Sequence, residues 1–193
     1  MLNKSLLRRG SIRQQAHRRT CVRTLADRLA RGEDSAYAEL YDACADRLHR
    51  YAAARLGSSD NAADVVQSAF MRAVRSRRRF RNVESPIAYM FQIVRNEVAR
   101  AAANRQRRRE QPLDDAQSNS SRLTANSRDD AEVVAAALGR LEATDRELIE
   151  LKLYAGLTFR EIAEATGQPQ GTVATRYRRA LESLRSWLEK QYR

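Results

Sequence analysis

Seven Gly and three Pro are all the backbone punctuation available to 193 residues, less than half the usual combined share of about 12%. A chain so poor in turn-formers and so rich in Ala, Leu, Arg and Glu reads as long helices. Sandwiches and barrels need breaks far more often. Hydrophobic residues make up 42% of the chain, enough for a core, and the length fits one large or two small domains. The most apolar uncharged run, Ser85–Val94, has ten residues, well short of the ~18 needed to span a membrane. Leu6-Leu7 is too short for the apolar stretch of a signal peptide. Cys21 and Cys44 lack metal-ligand spacing. The expectation is a soluble, cytoplasmic protein with unpaired thiols.

The net charge of +12 is distributed in blocks. Residues 1–24 hold seven Lys/Arg and no acid, whereas residues 25–70 hold five bases against eight acids. Residues 71–110 reverse this with twelve Arg against three Glu, and 111–132 are again acidic. Basic and acidic blocks in alternation point to two kinds of partner surface, one of them a polyanion. Solvated helix faces are the ordinary alternative.

The pattern along the chain gives two helical domains. Residues 1–24 read as a disordered basic extension. From Asp34, the residues Tyr37, Leu40, Tyr41, Cys44, Leu48 and Tyr51 recur at helical spacing. Gly57 breaks that helix, and Asp60 or Asn61 is placed to cap the next. Its apolar stripe is Val66, Phe70, Ala73 and Val74, with Asp64, Gln67 and Met71 off it. Ser85-Pro86 reads as a cap with proline in the first turn. It opens a helix that buries Ile87, Met90, Phe91, Val94 and Val98 before running into Arg105 and Arg107–Arg109. Residues 110–130 lose periodicity and fill with Ser, Asn and Asp, so they read as a flexible polar linker between a domain at 25–109 and one at 131–193. In the second, helix signals return over Ala131–Leu141. Thr144-x-x-Glu147 and Thr158-x-x-Glu161 have capping-box spacing, and Gly156 and Gly167 are helix stops. The last helix opens near Pro169 with Val173, Tyr177, Leu181, Leu184 and Leu188 on one side.

The sharpest motif is LTFREIAEATGQPQGTVATRYRRALESL. A short helix over Thr158–Thr166, a Gly-containing turn and a longer helix reproduce helix-turn-helix spacing. Ile162 and Ala163 face inward with Val173 and Tyr177. The opposite side offers Gln170, Thr172, Thr175, Arg176, Arg178 and Arg179, whose amide, hydroxyl and guanidinium groups bond base edges and phosphates. In the middle of the chain Phe80, Tyr89 and Phe91 interleave with Arg, a composition suited to single-stranded nucleic acid; the alternative is that Tyr89 and Phe91 are plain core, which is the preferred reading for Phe91. Nothing points to an enzyme. There is no P-loop, nucleophile elbow or metal cluster, and His17 and His49 have no partners at useful spacing.

ELYDACADRLHRYAAARLGSSDNAADVVQSAFMRAV followed by YMFQIVRNEVAR resembles the second conserved region of bacterial sigma factors. ATDRELIELKLYAGLTFREIAEATGQPQGTVATRYRRALESL resembles their fourth. Having these two regions alone, joined by a short linker, is the pattern of the extracytoplasmic-function (ECF) group of the sigma-70 family, and the resemblance covers about residues 25–188. It implies an all-α fold, with a promoter-melting and polymerase-binding bundle preceding a helix-turn-helix domain. It implies core RNA polymerase, promoter DNA and an anti-sigma factor as partners, and calls for no cofactor. Carried over residue by residue, the beta-prime clamp contact falls on Asp60, Asp64, Val66, Gln67 and Phe70. Capture of the melted −10 strand falls on Arg77, Arg78, Arg79, Arg81, Tyr89, Arg95 and Asn96. Duplex −35 reading falls on Gln170, Thr172, Thr175, Arg176, Arg178 and Arg179. Ala63 and Ser68 stand where the family usually has acids, Tyr89 where Trp is common, Pro169 for a frequent Ser and Ala174 for a frequent Lys. The rival is a helix-turn-helix regulator whose N-terminal domain dimerises or senses; such a dimer needs its recognition helices held one DNA turn apart.

Overall fold

A computed structural model describes residues 25–110 and 136–191. The basic extension over 1–24, the linker beyond Glu110 and the opening of the stretch from Ala131 lie outside the described residues. Within them all regular structure is helical, as the scarcity of breakers implied.

Helix α1 (residues 25–31) leads into α2 (Asp34–Leu56). The expected periodic residues Leu40, Cys44, Leu48 and Tyr51 are buried, joined by Ala36, Ala45 and Ala52. Tyr41 is not; it stays 54% exposed and meets the Phe70 ring at a tilt, with centroids 5.1 Å apart. Gly57 ends α2 with φ 65°, its amide donating to the Ala53 carbonyl at 2.8 Å, a conformation that a Cβ would strain.

Helix α3 (Ser59–Arg75) starts earlier than the sequence indicated. Its cap is Ser58, not Asp60 or Asn61: Ser58 is extended, and its hydroxyl accepts from the Asn61 amide at 3.3 Å. The buried face is Ala62, Val65, Val66, Ala69 and Ala73. Small alanines let α3 approach its neighbours closely, and this rotates the expected stripe. Val74 ends 43% exposed, and Phe70 sits half-buried at the edge.

A six-residue 3₁₀ turn, Arg77–Asn82, stands where the sequence indicated a basic loop. Its one apolar residue, Phe80, is fully buried and meets Tyr37 and Tyr89 edge-on at 6.3 and 5.2 Å. Helix α4 (Pro86–Glu110) opens as expected, the Ser85 hydroxyl accepting from the Ala88 amide at 3.2 Å. Met90, Phe91, Val94 and Val98 are core, with Tyr89 and Ile93 in addition; Ile87 is half-buried.

The C-terminal part consists of a short helical stretch at 136–139, then α5 (Ala143–Leu153), α6 (Phe159–Thr166) and α7 (Gln170–Gln191). One of the two capping boxes forms. Thr158 accepts from the Glu161 amide while the Glu161 carboxylate accepts from the Thr158 amide. Thr158→Ala is therefore expected to cost about 1 kcal/mol, readable as a lowered thermal midpoint. The Thr144 box does not form, because α5 begins at Ala143 and Glu147 turns away to another partner. On α7, Val173 and Ala180 are buried, but Leu181 is 40% exposed and Leu184 and Leu188 are half-buried.

Helices α2, α3 and α4 pack pairwise as one bundle, and α5, α6 and α7 as another. Helix α4 also lies against α6, and α2 touches α5. The buried side chains of both parts form one continuous cluster, from Leu29 and Phe91 through Leu148 and Leu157 to Val173.

Candidate nucleic-acid interface

Three surfaces carry the residues singled out in the sequence. On α3, Asp60, Asp64 and Gln67 are exposed, and Phe70 shows one ring edge beside Tyr41. Val66 points the other way and is 7% exposed, because the Ala62–Ala69 face on which it lies is the one packed into the bundle. The surface is thus acidic and amidic around a paired aromatic, a composition that suits a basic helical partner.

The second surface is the 3₁₀ turn and the helix after it. Arg77, Arg78, Arg79 and Arg81 are all exposed, held by the buried Phe80 between them. Tyr89 is 7% exposed, edge-on to Phe80, with its hydroxyl 3.3 Å from the Ser76 hydroxyl. Its ring braces the turn and is not presented to solvent. Asn96 is exposed, whereas its neighbour Arg95 is half-buried and faces α5. Successive helical residues point about 100° apart, so adjacency in sequence does not place this pair on one face.

The third surface is α7. Capped by Thr158 and stopped by Gly167 at φ 70°, α6 holds α7 across it through Ile162 and Val173 and through Phe159 against Tyr177 at 5.3 Å. Gln170, Thr172, Thr175, Arg178 and Arg179 are exposed. Arg176 is half-buried: its Nε donates to Asp145 at 2.7 Å, and its remaining nitrogens donate to Thr144 and, at 3.5 Å, to Gln168. These contacts tie α7 to the start of α5. A helix with amide, hydroxyl and guanidinium groups free along one side can read base edges in a major groove.

The residues that sequence reasoning missed are acids. Glu147 accepts two guanidinium bonds from Arg95, at 2.7 and 2.9 Å, and a third bond from the Tyr51 hydroxyl at 3.1 Å. Arg55 pairs with Glu150 at 3.1 Å, and Arg47 donates to the Ala155 carbonyl at 2.6 Å. Burial pushes the Glu150 carboxyl up, against the pull of Arg55. Glu164 accepts the Glu84 and Ser85 amides on one oxygen, at 3.0 and 3.2 Å, and burial pushes its pKa up as well, against the pull of those two amides. Arg160 and Glu84 form a further pair. Capping-box spacing gave Glu147 a local reading, and nothing in the periodicity pointed to its partner on α4. Cys44 is free and buried, its thiol pushed up to about 12 by burial, which leaves it unreactive. Among the described residues no acidic, His or Cys cluster is arranged for a metal ion, and no helix is long and apolar enough to cross a membrane.

Residues 40–108 match the family described as Sigma-70 region 2, and residues 131–184 match Sigma-70, region 4. The ECF RNA polymerase sigma factor SigL of Mycobacterium tuberculosis is 30% identical over 155 residues, covering 78% of this chain and 88% of that one. The ECF RNA polymerase sigma factor SigK of Mycobacterium ulcerans is 26% identical over 175 residues, covering 87% and 94%. Among solved structures, the sigma factor RpoE in complex with the anti-sigma factor NepR from Bartonella quintana superposes with a TM-score of 0.54. It is 26% identical and covers 74% of this chain and 89% of that one.

Proposed function

The chain belongs to the extracytoplasmic-function group of the sigma-70 family, and from that premise we propose a division of labour along it. The family activity is promoter-specific initiation of transcription. In our reading residues 25–109 bind core RNA polymerase and hold the −10 element as melted strand, while residues 131–193 read the −35 element as duplex. Asp60, Asp64, Gln67 and the edge of Phe70 meet the beta-prime clamp. The exposed arginines of the 3₁₀ turn hold strand phosphates, with Tyr89 keeping that turn in shape, and Arg95 and Asn96 act on the flanking phosphate and an unpaired base. The chain performs no bond chemistry itself, works in the cytoplasm, and has an anti-sigma factor as RpoE does.

One observation carries the −35 assignment: the solvent side of α7 carries five exposed groups able to bond DNA while Val173 and Ala180 anchor the helix. Arg176 supports that helix from within, through Asp145 and Thr144. The test is duplex binding of single variants to a promoter selected by transcription from a genomic library with core enzyme. Arg179→Ala is expected to lose on the order of 1–3 kcal/mol on promoter duplex if its contact is a base contact. Arg176→Ala is expected to lower the melting temperature and weaken binding to promoter and random duplex alike. A promoter-selective loss confined to Arg176→Ala would reverse the two roles.

A further inference from the structure

Helix α7 is longer than reading a groove requires. Its 22 residues rise about 33 Å, whereas a major groove is about 12 Å wide, so the half beyond Arg179 leaves the groove and passes the backbone that bounds it. The polar side of the helix continues into that half. Thr172, Thr175, Arg179, Ser183, Ser186 and Lys190 follow one another at three- and four-residue steps and are all exposed, so they share one side of α7.

Between the later half of this stripe and the turn before α5 lies an open groove of about 600 Å³, to which the turn contributes Arg140. Arg146 staples the turn, donating to the carbonyls of Leu138, Gly139 and Leu141 at 2.8, 3.0 and 3.5 Å. The Arg140 guanidinium lies over the Trp187 ring, 5.8 Å from its centroid. That contact restrains the plane of the cation and leaves its N–H groups free to donate. Among the described residues, Arg140, Arg179, Lys190, Ser183 and Ser186 have no hydrogen-bond or ion-pair partner for their side chains. Glu182 is the one acid in the lining, against three cations.

We propose that this groove is a second DNA site, holding the sugar-phosphate backbone of the duplex that flanks the −35 element through Arg140, Ser183, Ser186 and Lys190. The proposal rests on the reading of α7 as the −35 helix, since Arg179 belongs to both surfaces. Guanidinium, ammonium and hydroxyl groups bond phosphate oxygens, and such contacts set register on a duplex without reading its sequence. From Arg179 to Lys190 the helix rises about 16 Å, and a strand places a phosphate every ~3.4 Å of duplex axis, so the groove can follow several.

The experiment is a salt titration of anisotropy with the full chain on labelled duplex. Three duplexes are compared: the selected promoter with one helical turn of flanking sequence on each side, random sequence of the same length, and the promoter trimmed to the −35 element. Arg140→Ala and Lys190→Ala are each expected to weaken binding on the order of five- to tenfold at 0.1 M salt, equally on promoter and random duplex, and to lower the slope of log K against log salt by about 1. On the trimmed duplex the loss should vanish. Ser183→Glu, an exposed change to a good helix former, should lose more than either, because it sets an acid against the phosphates; it keeps the test alive if Arg140→Ala disturbs the turn. Wild-type affinity and slope in Arg140→Ala and Ser183→Glu overturn the site. So does a promoter-selective loss, a loss that persists on the trimmed duplex, or an equal loss from Arg50→Ala, which removes the same charge from an exposed position on α2. Arg178→Ala reports the −35 reading separately. A promoter-selective loss there, with Arg140→Ala unchanged, rejects the groove alone. No loss from Arg178→Ala or Arg179→Ala rejects the −35 reading, and the groove with it.

Discussion

Replacing Asp64 by Arg together with Gln67→Ala is expected to abolish association with core RNA polymerase while leaving the thermal melting curve unchanged. Both positions are exposed on α3 and lie off the face formed by Ala62, Val65, Val66, Ala69 and Ala73. Exposed substitutions away from caps and ion-pair networks usually change stability by less than about 0.5 kcal/mol. Asp64 also lies beyond the first turn, where the helix dipole would have favoured its charge. An interface, by contrast, suffers both from the lost acid and from a like charge set against a basic partner. Co-purification with core enzyme is the measurement; full recovery of the variant on polymerase, with a normal melting curve, rejects the α3 surface as the clamp contact.

Asn96→Ala is the second large effect expected, and it is selective. Asn96 is exposed on α4, nearly three turns into the helix that follows the braced 3₁₀ segment, and its amide can both donate to and accept from the edge of an unpaired base. Polymerase association and −35 duplex binding should stay near normal while promoter melting falls. A template already mismatched at −10 should recover much of the lost transcription, since the unpairing cost is then met beforehand. Permanganate reactivity of promoter thymines, with transcript yield on paired and pre-melted templates, measures both. Melting equal to wild type would make this face of α4 an ordinary solvated one.

The helices themselves were legible because their signals are local. Periodic Leu40, Cys44, Leu48 and Tyr51, the Ser85-Pro86 opening, and the Thr158 box each act within a turn or two. What the sequence did not yield depends on residues far apart in the chain. Val74 ended exposed because α3 rotates to bring Ala62, Ala69 and Ala73 against its neighbours. Thr144 and Glu147 have capping spacing, yet each found a stronger partner elsewhere, Arg176 and Arg95 respectively. Of the candidate interface, residue types and order were readable, but not which arginines would be free. Arg178 and Arg179 face solvent while Arg95 and Arg176 are spent on carboxylates, and no composition argument separates them.

The arginine turn has a consequence for how the molecule responds to its ionic surroundings. Four like charges within five residues repel, and the buried Phe80, braced by Tyr89, together with the backbone bonds of the 3₁₀ turn keeps them from spreading apart. Dissolved ions weaken that repulsion over a Debye length of about 10 Å at 0.1 M. The same ions also weaken the attraction of the turn for a nucleic-acid backbone. Salt therefore acts on this segment with opposite signs, firming it when it stands alone and releasing it when it is bound. If the turn holds a strand as proposed, its arginines are already arrayed and have little ordering left to do, and the strand's phosphates offset their mutual repulsion.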